Sequence, residues 1–178
     1  CVSRSLDAFE EMRRLPMEKR EAAMRQLAEL LREKKDEFAG LMATEMGKPL
    51  QQGVGEILKC AECCEYFAEN SREMLKEKIV KTDASVSKII YQPRGSIFQI
   101  APFNFPFWQV IRFVVPVLMS GNSAVIRHSH SVPKCALAIA ELFEQISLPE
   151  NAVQVLFIDN ETVSKIIADP RIQGVAFT

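Results

Sequence analysis

The stretch from Gly95 to His130 constrains the fold more than any other part of this chain. It reads Gly-Ser-Ile-Phe-Gln-Ile-Ala, then Pro102-Phe103-Asn104-Phe105-Pro106, then a long apolar run, then Ala-Val-Ile-Arg-His-Ser-His. Ser96 to Ala101 is short, apolar and β-branched, the pattern of a buried strand. Pro102 and Pro106 stop it, because proline cannot donate to a ladder and restricts the residue before it. Phe107 to Met119 is too long for a strand and predicts a buried helix, ended by Gly121-Asn122. Ser123 to Arg127 is the next strand. Strand, loop, helix and strand make a βαβ unit with parallel strands and a right-handed crossover. In such a sheet the ligand crevice lies outside the carboxyl ends of the strands. Asn104 and the cluster Arg127-His128-Ser129-His130 both follow strand ends, so both are expected to face that crevice.

The flanking chain extends the same architecture. Ser3 to Arg14 has the pattern of a short helix. From Pro16, Met24, Leu27, Leu31 and Phe38 share one helical face, and Gly47-Lys48-Pro49 breaks the pattern. Leu50 to about Leu75 carries a second stripe through Val54, Ile57, Leu58, Ala61, Cys64 and Ala68. The expectation is an antiparallel helical pair bracing the sheet, with the charge run Arg32 to Glu37 as a solvated face. Val86 to Gln92 reads as a strand turned by Pro93-Arg94-Gly95. Beyond Arg127, Val132 to Ile146 predicts a helix, Val153 to Ile158 a strand, Glu161 to Ala168 a helix and Ile172 to Phe177 a last strand. This alternation predicts an α/β fold with a doubly wound parallel sheet. The organisation reads as one domain: bracing helices over 1–76, a strand or arm region over 77–94, and the sheet over 95–178.

Bulk properties exclude several roles. A net charge of −1 offers no electrostatic basis for binding nucleic acid or an anionic membrane. The longest apolar run, Phe105 to Met119, falls short of the roughly 18–20 residues of a membrane span and contains Arg112 and Pro116. The opening residues lack a signal or transit pattern, although the chain begins with Cys1 rather than Met. Five cysteines is an odd count for a disulfide framework, which favours reduced thiols and an intracellular reducing compartment, cytoplasmic or mitochondrial. Cys60-x-x-Cys63-Cys64 admits a metal or redox reading, but it sits in a helical pattern with no second ligand pair, so packing is the expectation.

Pro102-Phe103-Asn104-Phe105-Pro106, the Gly121-Asn122 pair, the strand ending Ile126-Arg127, Gly47-Lys48-Pro49 and the closing Val175-Ala176-Phe177-Thr178 together resemble the aldehyde dehydrogenase superfamily. The resemblance runs from roughly Met17 to Thr178. Arg127-His128, Val132 and Cys135-Ala136-Leu137 resemble the succinate-semialdehyde dehydrogenase branch most. It implies a variant Rossmann-like core of an incomplete aldehyde dehydrogenase fold, with NAD or NADP as cofactor and an aldehyde as substrate. It also implies an arm used in subunit pairing, hence a homo-oligomer at full length.

The resemblance assigns candidate residues. Oxidising an aldehyde through a thiohemiacetal puts negative charge on the former carbonyl oxygen, and the Asn104 amide can stabilise it without titrating. An ordinary turn asparagine is the alternative. Ile100, Ala101, Pro102 and Phe103 match positions that wall the cofactor cleft, a role compatible with simple core packing. Arg127 stands where the family commonly has a lysine that hydrogen-bonds the adenosine ribose, and it is otherwise a solvated strand-end charge. His130 lies where many NAD-preferring members carry a glutamate that would repel a 2′-phosphate. His128 and His130 lack a convergent carboxylate, so loop histidines are expected rather than a metal pair.

Two departures qualify the match. There is no G-x-G-x-x-G after a strand, which the superfamily's variant dinucleotide binding tolerates, and Ile158-Asp159-Asn160 replaces a glycine-containing turn. The family's phosphate-facing Gly-Ser, glutamate base and cysteine nucleophile follow the position of Thr178, and none of the five cysteines here matches the nucleophile's motif. The expectation is the cofactor-binding part of a semialdehyde-oxidising enzyme, inactive alone. A non-catalytic structural or interaction subunit is the alternative.

Overall fold

A computed structural model describes residues 1–178. In chain order the elements are α1 (Val2–Met12), α2 (Met17–Glu33), α3 (Lys35–Met46), α4 (Leu50–Met74), β1 (Lys78–Ile79), β2 (Lys88–Ile89), β3 (Ser96–Ile100), α5 (Pro106–Met119), β4 (Ser123–Arg127), α6 (Pro133–Glu144), β5 (Val153–Leu156), α7 (Asn160–Ile167) and β6 (Ile172–Phe177). β3 to β6 form one parallel sheet in the order β5-β4-β3-β6. Successive strands step away from β3 on one side, then β6 returns to its other side. That reversal puts the topological switch point between the carboxyl ends of β3 and β6, where a parallel sheet opens its ligand crevice.

The sheet is covered on both faces. Phe98 and Val125 pack with Val163 and Ile166 of α7 on one side. α1 lies on that same face, where Ser5 Oγ meets Ser96 Oγ at 2.6 Å and Ser123 Oγ at 2.9 Å. On the other face Ala124 and Ile126 join the main core with Ile111, Val114 and Leu118 of α5 and Ile139 of α6. α2, α3 and α4 stack outside these helices through Leu27, Leu31, Phe38, Ile57 and Cys64. The Phe38 and Phe107 rings stack at 4.8 Å, joining α3 to α5.

The doubly wound α/β sheet stands as expected, but its helical layer differs. The chain from Pro16 to Gly47 is two helices, broken at Lys34, whose φ of −94° and ψ of 12° leave the helical region. The charge run around Lys34 supplies no apolar anchor to hold a straight helix, so α2 and α3 each dock on α4 separately and the expected pair becomes three helices. α1 does not join them, because its serine contacts place it across the sheet. Arg32 of the charge run is also only half exposed and pairs with Glu65 at 2.6 Å. Val86 to Gln92 shrinks to Lys88–Ile89, which pairs antiparallel with β1 in a separate exposed ribbon. A two-residue strand with no sheet face beneath it has nothing to bury.

Candidate active site

The loop from Ala101 to Phe105 leaves the carboxyl end of β3 at the switch point. Its entry is set by sheet pairing: the Ala101 N–H donates to the Arg127 carbonyl at 2.9 Å, and Ile100 registers against Arg127. Ala101 is buried, Ile100 and Pro102 are half-buried, and Phe103 is 51% exposed. Asn104 is exposed, and its side-chain amide has no hydrogen-bond partner within the chain. Its backbone carbonyl is held, accepting from Lys48 Nζ at 3.0 Å.

The exit from this loop carries no cap of its own. Phe105 occupies the N-cap of α5 without a capping side chain, and Pro106 begins the helix. The first helical N–H groups still need acceptors. Glu56, from α4, supplies one: its Oε1 accepts from Phe107 N at 3.0 Å and Trp108 N at 2.9 Å. Glu56 Oε2 forms a salt bridge with Lys48, and both side chains are almost wholly buried. Lys48 Nζ also lies 3.8 Å above the Phe105 ring. His128 Nε2 also bonds the Pro106 carbonyl, at 3.1 Å.

His128 is therefore not a loop histidine facing the crevice, as its sequence position suggested. Strand alternation carries through Ile126 to turn it inward, and it is fully buried. Burial lowers its pKa from the usual 6.5, the Pro106 carbonyl opposing the shift. A buried neutral imidazole is the result. Arg127 points to the other face, two residues on from Val125, and is half-buried. Its Nε is enclosed without a partner, an unmet donor at the carboxyl end of β4. His130 is exposed and bonds the Ile158 carbonyl at 3.0 Å, beside the Phe157 ring. The two imidazoles thus occupy separate surroundings.

Three helices begin at strand carboxyl ends, and each already holds a carboxylate. Glu56 serves α5. Glu45 serves α6, accepting from Lys134 N at 2.7 Å and Cys135 N at 2.9 Å. Asp159 caps α7 by accepting from Thr162 N at 2.7 Å, which accounts for the acid in that turn. A phosphate normally uses such N–H groups and the positive end of the helix dipole. Here the chain's own acids take two of those donors at each of α5 and α6, and one at α7. What this part of the crevice shows a ligand is the apolar wall of the Ala101–Phe105 loop and the half-buried Arg127 side chain, whose own Nε is enclosed.

Four of the five cysteines are packed in the interior, and Cys1 is exposed. Cys60, Cys64 and Cys135 are buried and Cys63 half-buried. Burial raises all four thiol pKa values above the ordinary range. None of these four is poised as a thiolate.

Sequence reasoning passed over Lys48, Glu56 and Glu45 as site residues. The two acids left a signal: Glu56 lies on the apolar stripe of α4, next to Ile57 and one turn from Cys60, and Glu45 sits in the last turn of a helix, where the dipole disfavours a negative charge.

Comparison with known proteins agrees with this architecture. The model of the aldehyde dehydrogenase family matches residues 1–178. A probable NADP-dependent succinate-semialdehyde dehydrogenase from Synechocystis sp. is 45% identical over 172 residues, covering 97% of this chain and 38% of the relative. A succinate semialdehyde dehydrogenase of Escherichia coli K12, named for NAD(P), is 35% identical over 170 residues, covering 96% and 37%. A succinic semialdehyde dehydrogenase structure from Streptococcus pyogenes, in complex with NADP+, superposes with a TM-score of 0.95 at 30% identity, covering 99% of this chain and 39% of that one. The chain spans under two-fifths of the length of these relatives.

Proposed function

The chain belongs to the aldehyde dehydrogenase family, and on that premise we propose that it is the cofactor-binding part of an enzyme oxidising a semialdehyde, such as succinate semialdehyde, to the carboxylic acid with NAD or NADP. The observation that carries this reading is the Asn104 loop: a side-chain amide free of intrachain partners, at the switch point of the sheet, on a backbone anchored by Lys48. Asn104 donates its amide N–H to the aldehyde oxygen as that oxygen gains negative charge, a preorganised interaction strongest in the transition state. Ile100, Ala101, Pro102 and Phe103 wall the cleft, and Arg127 with His130 receives the adenosine ribose. The dinucleotide, when bound, supplies the hydride acceptor. The nucleophilic cysteine and the base that activates water come from outside these 178 residues, since no thiol here is placed or charged for attack.

The relatives named for succinate semialdehyde and NADP support the substrate and cofactor assignment. The exposed β1–β2 ribbon, with Ile79, Val86 and Ile90, suits subunit pairing in a homo-oligomer. The test is to supply the complete enzyme with succinate semialdehyde and either cofactor and follow reduced-nicotinamide absorbance. Turnover that disappears on alkylating the nucleophile supports the assignment. A folded, cofactor-binding protein that oxidises no aldehyde in a panel of semialdehydes overturns it.

A further inference from the structure

We propose that Lys48 and Glu56 form a positioning unit for the Asn104 amide. This rests on Asn104 being the oxyanion donor. The unit grips the loop on both sides of Pro106: Lys48 holds the Asn104 carbonyl and the Phe105 ring, while Glu56 holds the Phe107 and Trp108 N–H groups. The ion pair between them ties the two grips into one. With the Asn104 carbonyl held, the peptide plane after it is held too, and the freedom left to the amide is confined to the torsions of residue 104 itself.

Capping alone does not explain this arrangement. A serine or aspartate at position 105 would cap α5 locally, with no charge taken out of water. Instead the cap is a carboxylate from a different helix, fifty-one residues earlier, and it requires a buried lysine as partner. Buried ion pairs are poor stabilising devices compared with apolar packing of the same volume. Charge-assisted hydrogen bonds are, however, short and directional. That suits a loop whose function depends on geometry, where a displacement of about 1 Å costs on the order of 10²-fold in rate. α4 is a rigid reference for such a clamp, because Gly53, one turn before Glu56, lets it approach α3 so closely that an added Cβ would lie 2.9 Å from Ala39 Cβ.

The experiment uses the complete enzyme and a double-mutant cycle. Lys48→Met should lower kcat by roughly 10–100-fold, with KM for the cofactor changed less than about twofold. Introduced into Asn104→Ala, the same change should produce no further loss of kcat, because the unit acts through that amide. Glu56→Gln, which keeps the volume and one acceptor oxygen, provides the second arm. Should Lys48→Met fail to fold, Lys48→Met with Glu56→Gln removes both buried charges together and enters the same cycle. Equal losses of kcat with and without Asn104 would overturn the positioning role, as would unchanged kcat in Lys48→Met and Glu56→Gln. An Asn104→Ala enzyme with normal kcat is a different failure, of the oxyanion assignment beneath it.

Discussion

His128 binds the carbonyl of Pro106 at 3.1 Å from inside the core, so the end of β4 is latched to the first residue of α5 by a neutral imidazole. Burial holds the pKa of His128 below its unfolded value of 6.5. The unfolded chain therefore takes up a proton first as pH falls. Stability is fully present above about pH 6.5 and declines below it, the loss being complete under the lowered folded-state pKa. Denaturant midpoints measured from pH 8 downward should fall in that window for the wild type. His128→Gln should flatten the slope there. An identical pH profile in the two proteins would show that His128 does not set it.

Asn104→Ala in the complete enzyme should reduce kcat by about 10²–10³-fold. Asn104 is exposed and its amide supports no other part of the fold, so the melting temperature should barely move. A coupled measurement of kcat and thermal unfolding separates this from a turn asparagine, whose loss would affect stability and spare turnover.

Cofactor choice should follow the charge at the end of β4. Neither Arg127 nor His130 repels a 2′-phosphate, so NADP should bind alongside NAD. Arg127→Glu should weaken NADP binding more than NAD binding, read by titrating both with the complete enzyme. Equal losses would remove Arg127 from phosphate recognition.

Asn122 locks the entrance to β3 and offers a stability test far from the chemistry. Its Oδ1 accepts from Arg94 N at 2.6 Å and Gly95 N at 3.0 Å, while its Nδ2 donates to Ser120 Oγ at 2.9 Å. Gly95 adopts φ 145°, a conformation that other residues rarely take, and an added Cβ would lie 2.6 Å from Gln173 Cγ. Asn122→Ala should destabilise the fold by about 1–3 kcal/mol through the stranded N–H groups. Chemical denaturation provides the measurement.

The 178-residue chain by itself should show no aldehyde oxidation with either cofactor. Cys60, Cys63 and Cys64 belong to α4 and Cys135 to α6, all with raised pKa values, and Cys1 is at the exposed start. No thiolate meets the Asn104 loop. β6 also forms one edge of the sheet with Phe177 79% exposed, so the isolated chain should aggregate readily. Turnover lost on alkylating one of these five cysteines would contradict the assignment.

Hydrophobic periodicity and the placement of proline and glycine were enough to read the alternating strands and helices from Ser96 onward, and to put Asn104 at a strand's carboxyl end. Both are local properties, because alternation and chain reversal act over a few residues. Pro102 and Pro106 marked the loop for the same reason. The sequence also held the family motif, since that too is contiguous. The break at Lys34, the inward turn of His128 and the partnership of Lys48, Glu56 and Glu45 with distant backbone groups were decided by the tertiary structure. Glu45 meets the N–H of Cys135 across 90 positions, and Glu56 meets that of Phe107 across 51. An acid in a helix carries no label for which orphaned N–H it will satisfy. Only the packing of α3 and α4 against the starts of α6 and α5 brings donor and acceptor together, and burial then makes leaving either one unpaired too unfavourable to persist.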